Sequence, residues 1–275
     1  MARMFRLLCL LALLGSMGVS GPAEAIDGAI VLEKMIEAAG GREAMNQLGY
    51  LQSVVKEEET LQSGEQKTRT VTTLVRTDGL SGMHLQLFPT IGLYCNTNSA
   101  WALQNGELDD RPQTPNHARG TINQRVVPIL APFSLELPGV RVLDAQEATW
   151  EQQDVWKLRV NFDKNFFIAP VLVTTWTFFV RQSDAQLLAM EVYPPEQFRE
   201  GVEEGMRYRL SSFTEIDGVS LPSNILVEGL GYDGIENGHF MIDKIEHRVL
   251  EGIDPILFVD PAQIQALDES EFPDL

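Results

Sequence analysis

Residues 229–234, Gly-Leu-Gly-Tyr-Asp-Gly, carry the G-x-G-x-x-G spacing that lets a backbone turn tightly against a pyrophosphate. That chemistry needs a strand before the glycines and a helix after them, whose N-terminus receives the phosphates. Here the next residues are IENGHFMIDKIEHRV, interrupted by Asn-Gly and alternating like a strand. The glycines are therefore expected to serve a hairpin turn, and no cofactor is assigned. Metal chemistry has equally little to work with. The histidines are His84, His117, His239 and His247, with no H-E-x-x-H among them. His239 and His247 share strand parity, but at ~3.3 Å per residue they stand ~26 Å apart along a strand. Without a bend they cannot share one zinc, so no metal ligand is expected.

Nucleophilic catalysis has no signature either. GVSLP and GLSGM do not match the G-x-S-x-G elbow of serine hydrolases. Cys95 has no family signature around it and reads as an inert strand residue. Carboxylates are abundant, but Glu57-Glu58-Glu59 and Glu203-Glu204 read as solvated faces and turns. A glycosidase needs two carboxyl groups at a set separation, and nothing marks such a pair. No catalytic residue is assigned, and an unrecognised hydrolase ranks behind readings without enzymatic chemistry.

What remains is apolar. Phe166 to Val180 is a run of 15 uncharged residues in a strongly acidic chain. As a helix it would rise only ~22 Å, short of a ~30 Å hydrocarbon core. Its β-branched residues, Val171, Val173, Thr174, Thr175, Thr177 and Val180, favour a strand. Both faces of that strand are apolar enough to be covered. It is either a central strand with core on both sides or one wall of a sheet curved around a cavity, and the sequence leaves both open. The candidate ligand-binding wall is Trp156, Leu158, Phe162, Leu172, Trp176 and Phe178. Ile129, Leu130 and Phe133, from a segment able to plug the cavity, complete the set.

The elements that must position these residues follow from periodicity. Ile30, Leu32 (or Val31), Met35, Ile36 and Ala39 recur at helical spacing, with Asp27 to cap the start and Gly40-Gly41 to stop it. A short second helix is expected over 43–48. Beyond Gly49 the period becomes two. Strands are expected about turns at Ser63-Gly64, Asn105-Gly106, Ser183-Asp184-Ala185, Asp217-Gly218 and Asn237-Gly238. Residues 109–120 read as a loop. Residues 122–138 carry Pro128, Pro132 and Pro138, which disfavour a central strand. Short broken helices packed on an apolar surface are expected there. The fold class is α+β, mainly antiparallel β.

The N-terminus gives an address. Arg3 and Arg6 precede an apolar run from Phe5 to Val19, and Ala23-Glu24-Ala25 forms an A-x-A site. Residues 1–25 read as a cleavable secretory signal peptide. The apolar run falls short of the ~20 residues of a spanning helix, and Leu8 before Cys9 is too large for a lipid-attachment site. The expected product is periplasmic, or extracellular, with no transmembrane segment. It comprises a single domain over 26–262 and an acidic tail over 263–275. Removing residues 1–25 takes two of the 21 basic and one of the 39 acidic side chains, moving the net charge from −18 to near −19. That balance disfavours nucleic acid and anionic lipid surfaces as partners. It also leaves one cysteine, so no intramolecular disulfide forms and the fold stands on its core.

Several segments together resemble the periplasmic lipoprotein-carrier (LolA/LolB-like) superfamily. They are AAGGREAMNQL after the first helix, Trp101 followed by Asn105-Gly106, TTWTFFVRQSDAQLLAMEV, FTEIDGVSLPSNILVE, and the late F-x-x-P of Phe258 to Pro261. The resemblance spans roughly 29–261. It implies an incomplete, strongly curved antiparallel β-barrel whose open concave side is covered by helices. It also implies an apolar cavity that carries an acyl chain or the lipid of a lipoprotein. An envelope interaction or sensor protein with the same fold and no bulk ligand, acting on an envelope protein partner, is the alternative. The family carries no sharp ligand motif, and this chain is longer, more acidic and proline-broken in the middle.

Overall fold

Asp27 sets the first helix: its side chain accepts a hydrogen bond from the Ala29 N–H at 3.0 Å. The computed structural model describes residues 25–168, 175–193, 205–231 and 236–263. Within them α1 is Gly28–Ala38 and α2 is Gly41–Gln47. Val31, Met35, Ile36 and Ala39 form the buried stripe of α1, whereas Ile30, expected on that face, is 53% exposed. Val31, Met35 and Ala39 are spaced by four and define the stripe. Ile30 lies 100° off it.

The strands run β1 Ile26–Asp27, β2 Tyr50–Thr60, β3 Gln66–Arg76, β4 Gly82–Phe88, β5 Ile91–Asn96, β6 Ala100–Gln104 and β7 Glu107–Leu108. After helix α3 (Thr114–Leu130) and a 3₁₀ turn at Phe133–Glu136 come β8 Val140–Trp150, β9 Gln153–Phe162, β10 Thr175–Arg181 and β11 Leu187–Val192. They are followed by β12 Gly205–Ile216, β13 Val219–Leu230, β14 Glu236–Val249 and a 3₁₀ turn at Pro255–Phe258. The described strands form one antiparallel sheet in the order β1-β8-β9-β10-β11-β12-β13-β14-β2-β3-β4-β5-β6-β7. Its two ends do not pair, so the sheet is not closed into a barrel.

Helix α3 shows how strongly the sheet curves. It packs on β5 and β6 and also on β13, six places apart in the sheet order. A flat sheet would separate β6 from β13 by ~29 Å, far more than the ~10–12 Å girth of a helix. The sheet must therefore wrap around α3. The curved face buries alternate residues of each strand. On β9 these are Trp156, Leu158, Val160 and Phe162, and on β10 Trp176, Phe178 and Val180.

Two local expectations are corrected. Residues 114–130 form one helix of 17 residues in place of a loop and short broken helices. Pro115 occupies the first turn, where its missing N–H would have no partner anyway, and Pro128 comes within the last turn, so neither proline breaks the body of the helix. Asn237-Gly238 is not a turn between strands but lies inside β14. Gly229 alone faces residues 237–239 there, because Glu228 pairs Phe240 while Leu230 pairs Glu236. Gly238 takes φ +85°, and the result is a β-bulge. Gly229 makes room for it: a Cβ at that position would meet Asn237 Oδ1 at 2.6 Å. The first glycine of the phosphate-loop look-alike thus serves strand packing.

Candidate functional site

Helix α3 enters the curved sheet carrying Arg125 on its buried side, and Glu57 of β2 receives it. Glu57 is 1% exposed. Its carboxylate accepts a hydrogen bond from Arg125 Nη1 and another from Arg69 Nε on β3. This corrects the reading of Glu57-Glu58-Glu59 as a solvated face. Strand alternation sends Glu58 outward to Lys244 at 3.0 Å, and turns Glu57 and Glu59 inward. Glu59 meets His239 Nε2 at 2.9 Å.

One transverse row of the sheet runs Leu210, Ile225, Asp243, Glu57, Arg69. Asp243 is 8% exposed, and its Oδ1 has no hydrogen-bond partner among the described residues. Burial first, and the neighbouring charge of Glu57 second, push its carboxyl up to about 7, against the opposing pull of Arg125 and Arg69. Tyr208, stacked on Trp176 at 5.4 Å between ring centroids, is pushed up to about 12 by burial.

Glu57, Arg69, Arg125, Tyr208, His239 and Asp243 line a pocket of about 240 Å³ between α3 and strands β2, β3, β12, β13 and β14. Its apolar walls are Val55, Val71, Ile129, Met206, Val227 and Met241. The arrangement can hold a molecule with an apolar body and a polar end that hydrogen-bonds to Asp243. Further along β14, His247 Nε2 donates to the Pro222 carbonyl at 2.8 Å, leaving Nδ1 to accept from Ser53 Oγ at 2.9 Å. That histidine is fixed in place, and burial lowers its pKa.

Eight of the residues expected to form a ligand wall fall together in one buried cluster. Trp156, Leu158, Phe162, Trp176, Phe178, Ile129, Leu130 and Phe133 are each at most 9% exposed and belong to one cluster. Trp176 stacks on Phe167 at 5.2 Å and meets Phe162 edge-on at 5.6 Å, while Lys34 of α1 lies 4.7 Å over the Trp156 ring. Among them Ile129 lines the pocket under α3, and Phe162 lines a second cleft described below. Leu172, Glu203-Glu204, Tyr232 to Gly234, the signal segment 1–24 and most of the acidic tail lie outside the described residues.

Cys95 is buried in β5, and burial raises its thiol to about 11, the reverse of an activated nucleophile. Among the described residues no three His, Cys, Asp or Glu side chains converge as metal ligands would. No described helix is long and apolar enough to cross a membrane. Sequence reasoning missed Glu57, Arg125 and Asp243. The parity of β2 and β14 could have aimed Glu57 and Asp243 inward, but only the wrap of the sheet around α3 brings Arg125 to them.

No protein-family model and no curated protein matches the chain. Solved structures do. A LolA superfamily protein from Nitrosomonas europaea superposes at TM-score 0.55 with 14% identity, covering 86% of this chain and 100% of that one. A DUF1329 family protein from Desulfovibrio piger gives TM-score 0.55 and 12% identity over 86% and 99%. An outer membrane lipoprotein-sorting protein domain from Vibrio parahaemolyticus gives 0.53 and 14% over 85% and 98%. At such identities the likeness is one of fold: the chain has a LolA-like fold, the expected unclosed antiparallel sheet wrapped around helices.

Proposed function

We propose that the chain is an exported, periplasmic carrier or binding protein for a hydrophobic ligand, an acyl chain or the lipid of a lipoprotein, and not an enzyme. The observation that carries this reading is the pocket beneath α3. It is apolar along Ile129, Met206, Val227 and Met241 and closes on a buried carboxyl, one of whose oxygens has no partner among the described residues. Such a pocket suits an amphiphile better than a plain hydrocarbon, because a hydrocarbon would leave Asp243 unsatisfied. Apolar burial at ~25 cal/mol per Å² supplies the affinity. The described fold-neighbours include a domain named for outer membrane lipoprotein sorting, which agrees with lipid cargo and with the export signal read in residues 1–25.

The test is native mass spectrometry of the mature protein purified gently from the envelope, alongside Met241→Trp, which fills the pocket. A bound species extractable as lipid, absent from the filled variant, is the expected result. A bare protein mass with no uptake of added fatty acid or phospholipid overturns the carrier reading.

One observation favours the alternative of an envelope interaction protein. The aromatic wall expected to face a cavity packs against its own neighbours instead. On that reading the aromatic wall holds no ligand, and the partner is another envelope protein.

A further inference from the structure

The unclosed seam of the sheet holds a second and larger cleft, of about 920 Å³. One side is the turn after β5 and the region of Leu80 and Met83. The other is the β8–β9 end with the segment after Phe162, and α3 forms the back. In a chain with 39 acidic and 21 basic side chains, this cleft reverses the balance. It carries Arg119, Arg141 and Lys164 against the single carboxylate of Asp163.

None of the three cations is tightly neutralised. Arg119 Nη2 donates to the carbonyls of Asn96 and Ser99 at 3.0 and 2.8 Å, which fixes the guanidinium without cancelling its charge. Arg141 reaches Asp163 only at 3.7 Å with both side chains mostly exposed, a pairing worth little in water. Lys164 makes no ion pair among the described residues. The segment bearing Asp163 and Lys164 is tied down before any ligand arrives: Asn123 Nδ2 donates to the Phe166 carbonyl at 2.8 Å, and Asp163 N–H to the Gly139 carbonyl at 2.8 Å. Beneath the charges the floor is apolar, with Met83, Leu137, Phe162 and Phe166.

From this juxtaposition we infer that the seam cleft is a binding site for an anionic amphiphile, a phosphate or carboxylate group joined to an apolar body. The fixed guanidinium and the two outer cations take the anion, while the floor takes the chain. The field of three cations in an acidic surface also steers anions to the seam. The site is separate from the pocket under α3 and does not depend on the carrier reading.

The test is calorimetric titration of the mature chain carrying Met241→Trp, which fills the pocket under α3, with dodecyl phosphate below its micelle concentration, with inorganic phosphate and with zwitterionic dodecylphosphocholine. Dodecyl phosphate is expected to bind one to one, more weakly as salt rises. Arg141→Gln/Lys164→Gln, two exposed positions whose loss spares the fold, should weaken it by about tenfold or more. Arg119→Gln should weaken it too. Lys244→Gln, an exposed cation outside both pockets, should leave it unchanged. Inorganic phosphate displacing the amphiphile at equal concentration would assign the site to a free small anion, and failure to displace it assigns the site to a lipid-like one. Unaltered affinity in Arg141→Gln/Lys164→Gln, or equal binding of dodecylphosphocholine, overturns the inference.

Discussion

Asp243 stands directly opposite Glu57 across the β14–β2 pair, and the two carboxyl groups have opposite surroundings. Glu57 accepts hydrogen bonds from two guanidiniums, whereas Asp243 Oδ1 finds no partner among the described residues. With its folded pKa raised from 3.8 to about 7, Asp243 holds its proton in the native state where the unfolded chain has released it. Stability from this group is therefore lost as pH rises from about 4 to about 7, and the full cost persists above. The carboxylates held low by their Arg partners, such as Asp144 and Asp184, act in the other sense and lose their contribution on acidification. Asp243→Asn isolates the first effect. Above pH 7 it should be more stable than the parent, by up to about 4 kcal/mol, with the gap closing toward pH 4. Urea unfolding of both chains across that range measures it, and a constant gap would refute it.

Glu57 is also where α3 is fastened to the sheet. Glu57→Gln leaves two guanidiniums facing a neutral group and should cost about 3–5 kcal/mol. Arg125→Met keeps the Arg69 partner and should cost less, about 1–3 kcal/mol. Hydrogen exchange separates fastening from general loss: in Arg125→Met the amides of 114–130 should exchange faster while those of β9 and β10 stay protected.

Trp176 bears on whether the aromatic wall is core. It is 3% exposed, ringed by Phe162, Phe167, Phe178 and Tyr208, and its Nε1–H has no hydrogen-bond acceptor among the described residues. Trp176→Ala should cost about 3–5 kcal/mol by leaving a cavity. Trp176→Phe loses volume but also removes a buried unpaired donor, and should cost well under half as much. Thermal unfolding of the two variants gives the comparison. Ligand affinity changing while stability holds would return Trp176 to a binding role.

The fold was legible where the physics is local. Period-two alternation showed which residues of β9 face inward but left β10 open, since Phe179 on its other face is buried as well, and Asp217-Gly218 and Asn105-Gly106 turned as their residue types require. Two kinds of misreading have the same origin. Pro128 looks like a helix breaker until one sees that it sits in the last turn of α3. Asn237-Gly238 looks like a hairpin turn until the register with β13 shows it to be a bulge within β14. The charged pocket was illegible for a stronger reason. Arg125 and Glu57 are 68 residues apart, and only the wrap of the sheet around α3 joins them. The seam cleft needed both ends of the sheet to be located in space before its cations could be counted together.

Gly40 gives the most local test of how the N-terminal helices are seated. It ends α1 with φ +108°, and a Cβ there would stand 2.0 Å from the Gly218 carbonyl oxygen in the β12–β13 turn. The same junction is closed by Ser220 N–H donating to the Ala39 carbonyl at 2.9 Å. The next residue, Gly41, has φ +87° but open space around it. Gly41→Ala should therefore carry only the left-handed backbone penalty, about 1–2 kcal/mol. Gly40→Ala adds a collision with backbone that cannot rotate away, so α1 must shift off the turn at a total cost above about 3 kcal/mol. Urea midpoints of the two variants measured side by side decide it. Equal losses would mean that the turn yields and that α1 is not held by this contact.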